Sequence, residues 1–242
     1  MKVSAPLRLS AAAIHAKERH FPLFLLTALL PVVLFPLANL DGTLPQRLAL
    51  PVTVTLLVVE SVRSLPAWAA CVGPVRLNTL YRCLALISAV AVWWPVFIAH
   101  RPALIAHVAV VGIRGVFYSL TAVRIIQVLA NSDRVSVKTL CLGAAGYVHL
   151  GLTTGMLATM LQLVDPDSFN LGATVLHEEL MARLSYFAFV TLSSLGYGDV
   201  VPASPIGEAF AVLVSISSTL YLSLLIGLLL SRFLSSQQRE QP

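Results

Sequence analysis

The segment TLSSLGYGDVVP, Thr191 to Pro202, sets two glycines around a tyrosine and follows them with an aspartate, in a short polar break between apolar stretches. A dehydrated monovalent cation needs oxygens in place of its water, and stacked rings of backbone carbonyls supply them. Gly196 and Gly198 have the freedom for positive φ that lets successive carbonyls point to one side. Tyr197 between them is expected to turn its ring away, wedged against neighbouring aromatics such as Tyr186 and Phe187. The hydroxyl of Ser194 would add a further set of ligands at the inner end.

Such a loop must be held at membrane depth. The chain has 242 residues, 57% of them hydrophobic and 11% charged, with a mean hydropathy of +0.86, which is the composition of an integral membrane protein. Spans of about 20 mainly apolar residues can be cut at residues 21–40, 48–62, 77–99, 103–130, 140–164 and 206–233. Leu184 to Ser194 is too short to cross and reads as a re-entrant helix leading into the glycine loop. Irregular backbone at that depth is tolerable only where protein buries it or a watery cavity faces it.

Charge sets the expected orientation. Lys2, Arg8, Lys17 and Arg19 precede any apolar core, so residues 1–20 read as a retained basic cytoplasmic arm and not as a signal peptide. With the N-terminus inside, most Lys and Arg fall in cytoplasmic loops, both termini are cytoplasmic, and the glycine loop lies near the outer face. The net charge of +5 is spread over these loops and not packed into one patch, which argues against nucleic acid as a partner. Cys71, Cys83 and Cys141 have no metal-ligand spacing and read as small packed residues. No HExxH, GxSxG or P-loop pattern appears, and the adjacent His177, Glu178 and Glu179 would point different ways, so neither an enzyme nor a metal centre is indicated.

TLSSLGYGDVVP resembles the signature of the tetrameric potassium channels, T-x-T-T-V-G-Y-G-D-x-x-P, matching it at Thr191, Gly196, Tyr197, Gly198, Asp199 and Pro202. The resemblance spans about Lys138 to Phe233. It implies an all-α membrane protein with six transmembrane helices plus a re-entrant pore helix and filter loop, assembling as a homotetramer. The filter would be Ser194, Leu195, Gly196, Tyr197 and Gly198 of each subunit, supported by Asp199, Thr191, Tyr186 and Phe187, with potassium as the permeant ion and no cofactor. A multi-pass location in the plasma (inner) membrane follows. Ser194 and Leu195 replace the usual threonine and valine, and Val190 stands where some relatives carry glutamate. Ser218 stands near a hinge glycine of many relatives, so Ser218 and Gly227 are candidates for a gating bend.

The same layout in voltage-gated channels puts a sensor in the fourth span, with a cation at every third position, each worth about 2.3 kcal/mol per 100 mV. Here Arg101, Arg114 and Arg124 are spaced 13 and 10 apart, so little voltage dependence is expected. Arg114 falls near mid-span and needs a partner or water. Glu60 is one conceivable counter-charge, although it can equally pair with Arg63 or reach the interface. His107 and His149 read as packed or interfacial. The expected organisation is a basic arm (1–20), a four-helix unit (21–130), a cytoplasmic linker (131–139), a pore domain (140–234) and a short tail (235–242). A potassium-selective channel is the leading reading; a weakly selective cation channel and a non-conducting subunit are the alternatives.

Overall fold

In the computed structural model of the chain, residues 11–34, 44–66, 74–93, 104–132, 136–172 and 180–240 are described, and most of them are helical. In chain order the helices are α1 (Ala11–Lys17), a short 3-10 turn (Glu18–His20), α2 (Phe21–Leu34), α3 (Leu44–Ser64), α4 (Pro74–Ala91), α5 (Leu104–Asn131), α6 (Val137–Val164), α7 (Leu180–Leu192) and α8 (Pro205–Glu240). Two short strands, β1 (Phe169–Asn170) and β2 (Val201–Pro202), pair antiparallel with Phe169 opposite Pro202.

This is an all-α membrane protein. Among the described residues, Ile105–Asn131, Val137–Val164 and Pro205–Ser231 are long and apolar enough to cross a membrane. The expected first three spans are less complete. The helix α2 has 14 residues, and the rest of its expected span, 35–40, lies outside the described residues. In α3 the apolar run is diluted by Arg47, Glu60 and Arg63. The apolar part of α4, Leu77–Ala91, stops at the edge of what is described. Cys71 and the His177–Glu179 cluster also lie outside the described residues, while Cys83 and Cys141 are free thiols.

The helix α6 is the central post, packed against α2, α5, α7 and α8. Ser136 starts it: its hydroxyl accepts the Thr139 amide at 3.2 Å, satisfying one of the free donors at a helix N-terminus. Its buried threonines return their hydroxyls to their own helix, Thr153 to the His149 carbonyl and Thr159 to that of Gly155, both at 2.8 Å, so these hydroxyls are satisfied without water. Glycines along α6 admit the neighbours. A Cβ at Gly151 would overlap the Phe189 ring of α7, one at Gly155 would lie 2.8 Å from the Ser185 Cα, and one at Gly146 would strike the Tyr221 hydroxyl of α8. Without a hydrophobic drive between helices in lipid, such close approach is what holds them together.

The junction of α2, α5 and α6 is aromatic. His149 is fully buried, its ring 4.8 Å from that of Tyr118 and 6.2 Å from that of Phe24, with Nε2 3.2 Å from the Tyr118 carbonyl. The first helices therefore wrap the same post that carries the glycine loop. By contrast α8 leaves a long apolar face open, including Val212, Leu213, Ile216, Leu220, Leu224 and Ile226.

Candidate functional site

The glycine loop hangs between the C-terminus of α7 and β2. The last four carbonyls of a helix have no partner within it, and here each finds one. The Phe189 carbonyl accepts the Ser193 amide at 2.9 Å, Val190 accepts those of Leu195 at 3.0 Å and Gly196 at 3.4 Å, and Thr191 accepts that of Ser194 at 3.1 Å. The Leu192 carbonyl takes two side-chain hydroxyls, from Tyr147 of α6 at 3.0 Å and Ser218 of α8 at 2.5 Å. The amides of Ser193 to Gly196 are thus spent on α7, and no hydrogen bond from a described residue ends on the carbonyls of Ser194, Leu195, Gly196 or Tyr197.

Backbone handedness alternates along this loop. Gly196 and Gly198 take φ of 57° and 78°, and Ser194 takes 60°, while Leu195 and Tyr197 stay at negative φ. Alternation of this kind turns successive carbonyls to a common side, the arrangement a bare cation requires. Ser194 is the one positive-φ non-glycine among the described residues, a conformation that costs about 1–2 kcal/mol for an L-residue. The sequence places the carbonyl and hydroxyl of Ser194 in the loop but not its handedness, because nothing in a serine advertises a left-handed φ.

The Asp199 end of the loop is anchored by a residue outside the expected set. Arg183, on the first turn of α7, places its guanidinium 3.2 Å from the Asp199 carboxylate and also donates to the carbonyls of Leu171 at 3.3 Å and Asp199 at 3.5 Å. It lies over the Tyr186 ring at 5.4 Å, and the Tyr186 hydroxyl interacts with the same carboxylate. Gly172, at φ 74°, lets the chain pass so close that a Cβ would sit 2.5 Å from the Asp199 carbonyl. The β1–β2 pair and the Ala203 amide on the Ser168 carbonyl at 2.9 Å close the same corner. An arginine three residues from the start of α7 could have been suspected from charge alone, as the only Lys or Arg between the fifth and sixth expected spans.

Phe187 is buried against Phe169 of β1, ring centroids 5.1 Å apart, and Tyr197 is 67% exposed within the single chain. Thr191 contributes its carbonyl to the loop. Ser218 and Gly227 both lie within α8, Pro205 to Glu240; Ser218 is buried on Leu192, and a Cβ at Gly227 would meet open space. Glu60 and Arg114 do not pair. Glu60 accepts the Ser64 hydroxyl at 2.8 Å and faces His20 Nδ1 at 3.4 Å, which the 3-10 turn brings over α3. Arg114 is 7% exposed and its Nε has no hydrogen-bond partner among the described residues. Arg124 is a packing cation, donating to the Pro66 carbonyl and lying 4.2 Å over the Tyr81 ring.

A short helix, a loop of free carbonyls with alternating handedness, and a long apolar helix define an ion-channel module. Comparison with known proteins agrees: the family described as ion channel matches residues 171–235. A 48-residue stretch is 44% identical to a voltage-gated potassium channel of Aeropyrum pernix, covering 20% of this chain and 16% of that protein. The ion-channel family match falls on the α7–loop–α8 module, and the helices before it lie outside that match. No solved structure gives a significant match to the chain.

Proposed function

We propose that four copies of this chain assemble around the Ser194–Gly198 loop into a passive, potassium-selective channel with little voltage dependence. The observation that carries this reading is the run of unengaged carbonyls from Ser194 to Tyr197 on a backbone of alternating handedness. Four such runs facing one axis replace the hydration shell of a potassium ion without bond making or breaking. The apolar face left open on α8 suits the neighbouring copies that this symmetry requires. Potassium is the permeant ion, no cofactor takes part, and both termini face the cytoplasm across the plasma (inner) membrane. The segment from 140 to 234 forms the pore unit, with α2 and α5 packed against its first helix, α6. The wide spacing of Arg101, Arg114 and Arg124 supports a shallow response to voltage.

Recording the purified protein in planar bilayers with asymmetric potassium and sodium tests the proposal. A reversal potential close to that of potassium supports it, and absence of any potassium current defeats it. A second reading, a weakly selective monovalent cation channel, is favoured by one observation: the Leu195 side chain is 59% exposed, with little of its own subunit packed behind it. A bi-ionic reversal potential near zero would choose that reading.

A further inference from the structure

The inner helix α8 carries three consecutive hydroxyls, Ser217, Ser218 and Thr219, and the middle one behaves differently from its neighbours. Ser217 donates to the Leu213 carbonyl at 2.7 Å and Thr219 to that of Ser215 at 3.1 Å, the usual return of a helical hydroxyl to its own preceding turn. Ser218 instead donates out of its helix, to the Leu192 carbonyl at the end of α7. It is 3% exposed, so this bond has no water to replace it.

Leu192 sits at the point where α7 ends and the loop begins, two residues before the left-handed Ser194. Its carbonyl is the one α7 terminus that no loop amide reaches, and the second hydroxyl on it, from Tyr147, comes from α6. One oxygen therefore ties all three helices of the ion-channel module together at the base of the loop. One turn further along both long helices the pattern repeats without α7: the Tyr221 hydroxyl of α8 donates to the Gly143 carbonyl of α6 at 2.6 Å. The rings of Tyr147 and Tyr221 meet at a tilt of 45°, centroids 6.1 Å apart.

We infer that Ser218 and Tyr147 are positioning residues for ion selection: by holding the Leu192 carbonyl from two helices, they set where the Ser194–Tyr197 carbonyls stand, and they transmit movement of α8 to them. This rests on the ion-conducting reading and goes beyond it in placing the link between inner helix and filter at one buried oxygen. It also changes the meaning of a serine at the expected hinge. A residue whose hydroxyl is fastened to α7 makes α8 and the loop move together, where a glycine would let the helix bend past it.

The test uses the full chain reconstituted in planar bilayers, with the potassium-to-sodium permeability ratio read from reversal potentials and the thermal midpoint of the detergent-solubilised protein read alongside. The variants are Tyr147→Phe, Ser218→Ala, the two combined, and Tyr221→Phe as the matched control that deletes a hydroxyl between the same long helices without touching α7. A lost hydrogen bond of ordinary strength predicts a fall in the ratio of about threefold for each single variant, and about thirtyfold when the carbonyl is left bare in the combination. Tyr221→Phe is expected to lower the thermal midpoint and leave the ratio unchanged. Tyr147→Phe removes one oxygen from a half-buried ring, so it carries the test even where Ser218→Ala or the combination yields no folded protein. If wild type conducts selectively and the hydroxyl deletions lower only the thermal midpoint, all to the same extent, the positioning role is overturned while the channel reading stands. If wild type reconstitutes and passes no potassium, both fall.

Discussion

The Arg183 guanidinium lies 3.2 Å from the Asp199 carboxylate and joins the first turn of α7 to the residue that closes the glycine loop. The pair is partly open to solvent, with side-chain exposures of 33% and 40%. An isolated pair of that exposure is worth about 0–1 kcal/mol, so its role here is geometric. Arg183→Gln is expected to lower the thermal midpoint by no more than a few degrees while cutting the potassium-to-sodium permeability ratio severalfold. Arg183→Lys restores only part of the ratio, because one terminal nitrogen, Nη2, makes the contacts to the Asp199 carboxylate and to the carbonyls of Leu171 and Asp199, and the shorter lysine side chain does not carry its ammonium to the same point. Reversal potentials and thermal melts on the same preparations check this, and full rescue by lysine would contradict it.

The left-handed positions of the loop separate two effects. At Gly196 and Gly198 a Cβ would meet nothing within 4 Å in the subunit, so substitution there acts on the backbone alone. Gly196→Ala, forced to hold φ near 57° at a cost of about 1–2 kcal/mol, is expected to express normally and lose potassium flux in liposomes. Ser194→Gly runs the other way: it removes strain at φ 60° and should raise or leave unchanged the thermal midpoint. A clear fall in the Ser194→Gly midpoint would show that the hydroxyl outweighs the backbone there.

Close packing along α6 gives a prediction with an internal control. At Gly155 a Cβ comes within 2.8 Å of the Ser185 Cα, which is backbone and cannot turn aside, whereas at Gly115 it meets the Leu157 side chain at an ordinary 3.5 Å. Gly155→Ala should destabilise the protein by about 1–3 kcal/mol and reduce the yield of assembled protein on size-exclusion chromatography. Gly115→Ala should be nearly neutral in the same assay.

Arg114 is buried in α5 with Nε unsatisfied among the described residues, which is costly in a bilayer. An arginine at the centre of a spanning helix is disfavoured by about 2.5–3.5 kcal/mol on insertion scales. Arg114→Leu is therefore expected to raise the thermal midpoint and to leave the conductance–voltage curve flat, as in wild type. A steep curve in wild type that Arg114→Leu flattens would instead make this residue a gating charge.

Much of the site was legible in the order of residues. The glycines at 196 and 198 announce positive φ because few other residues accept it, and the apolar runs at 104–131, 137–164 and 205–231 announce spans because lipid demands them. The irregular spacing of Arg101, Arg114 and Arg124 likewise excludes a charge ladder before any fold is known. The partnerships were not legible. Arg183 reaches Asp199 across 16 residues, Ser218 reaches Leu192 across 26 and Tyr147 reaches it across 45, while Glu60 turns to His20 and not to Arg114. Local backbone preference and water-to-lipid transfer act residue by residue, so the amino-acid sequence by itself determined that the last three expected spans are long and apolar enough to cross and where the backbone must lie bare, while the first three expected spans are less complete among the described residues. Which hydroxyl and which cation hold that bare backbone depends on how far each helix rotates as its neighbours close on the glycines of α6, and only the tertiary structure decides that.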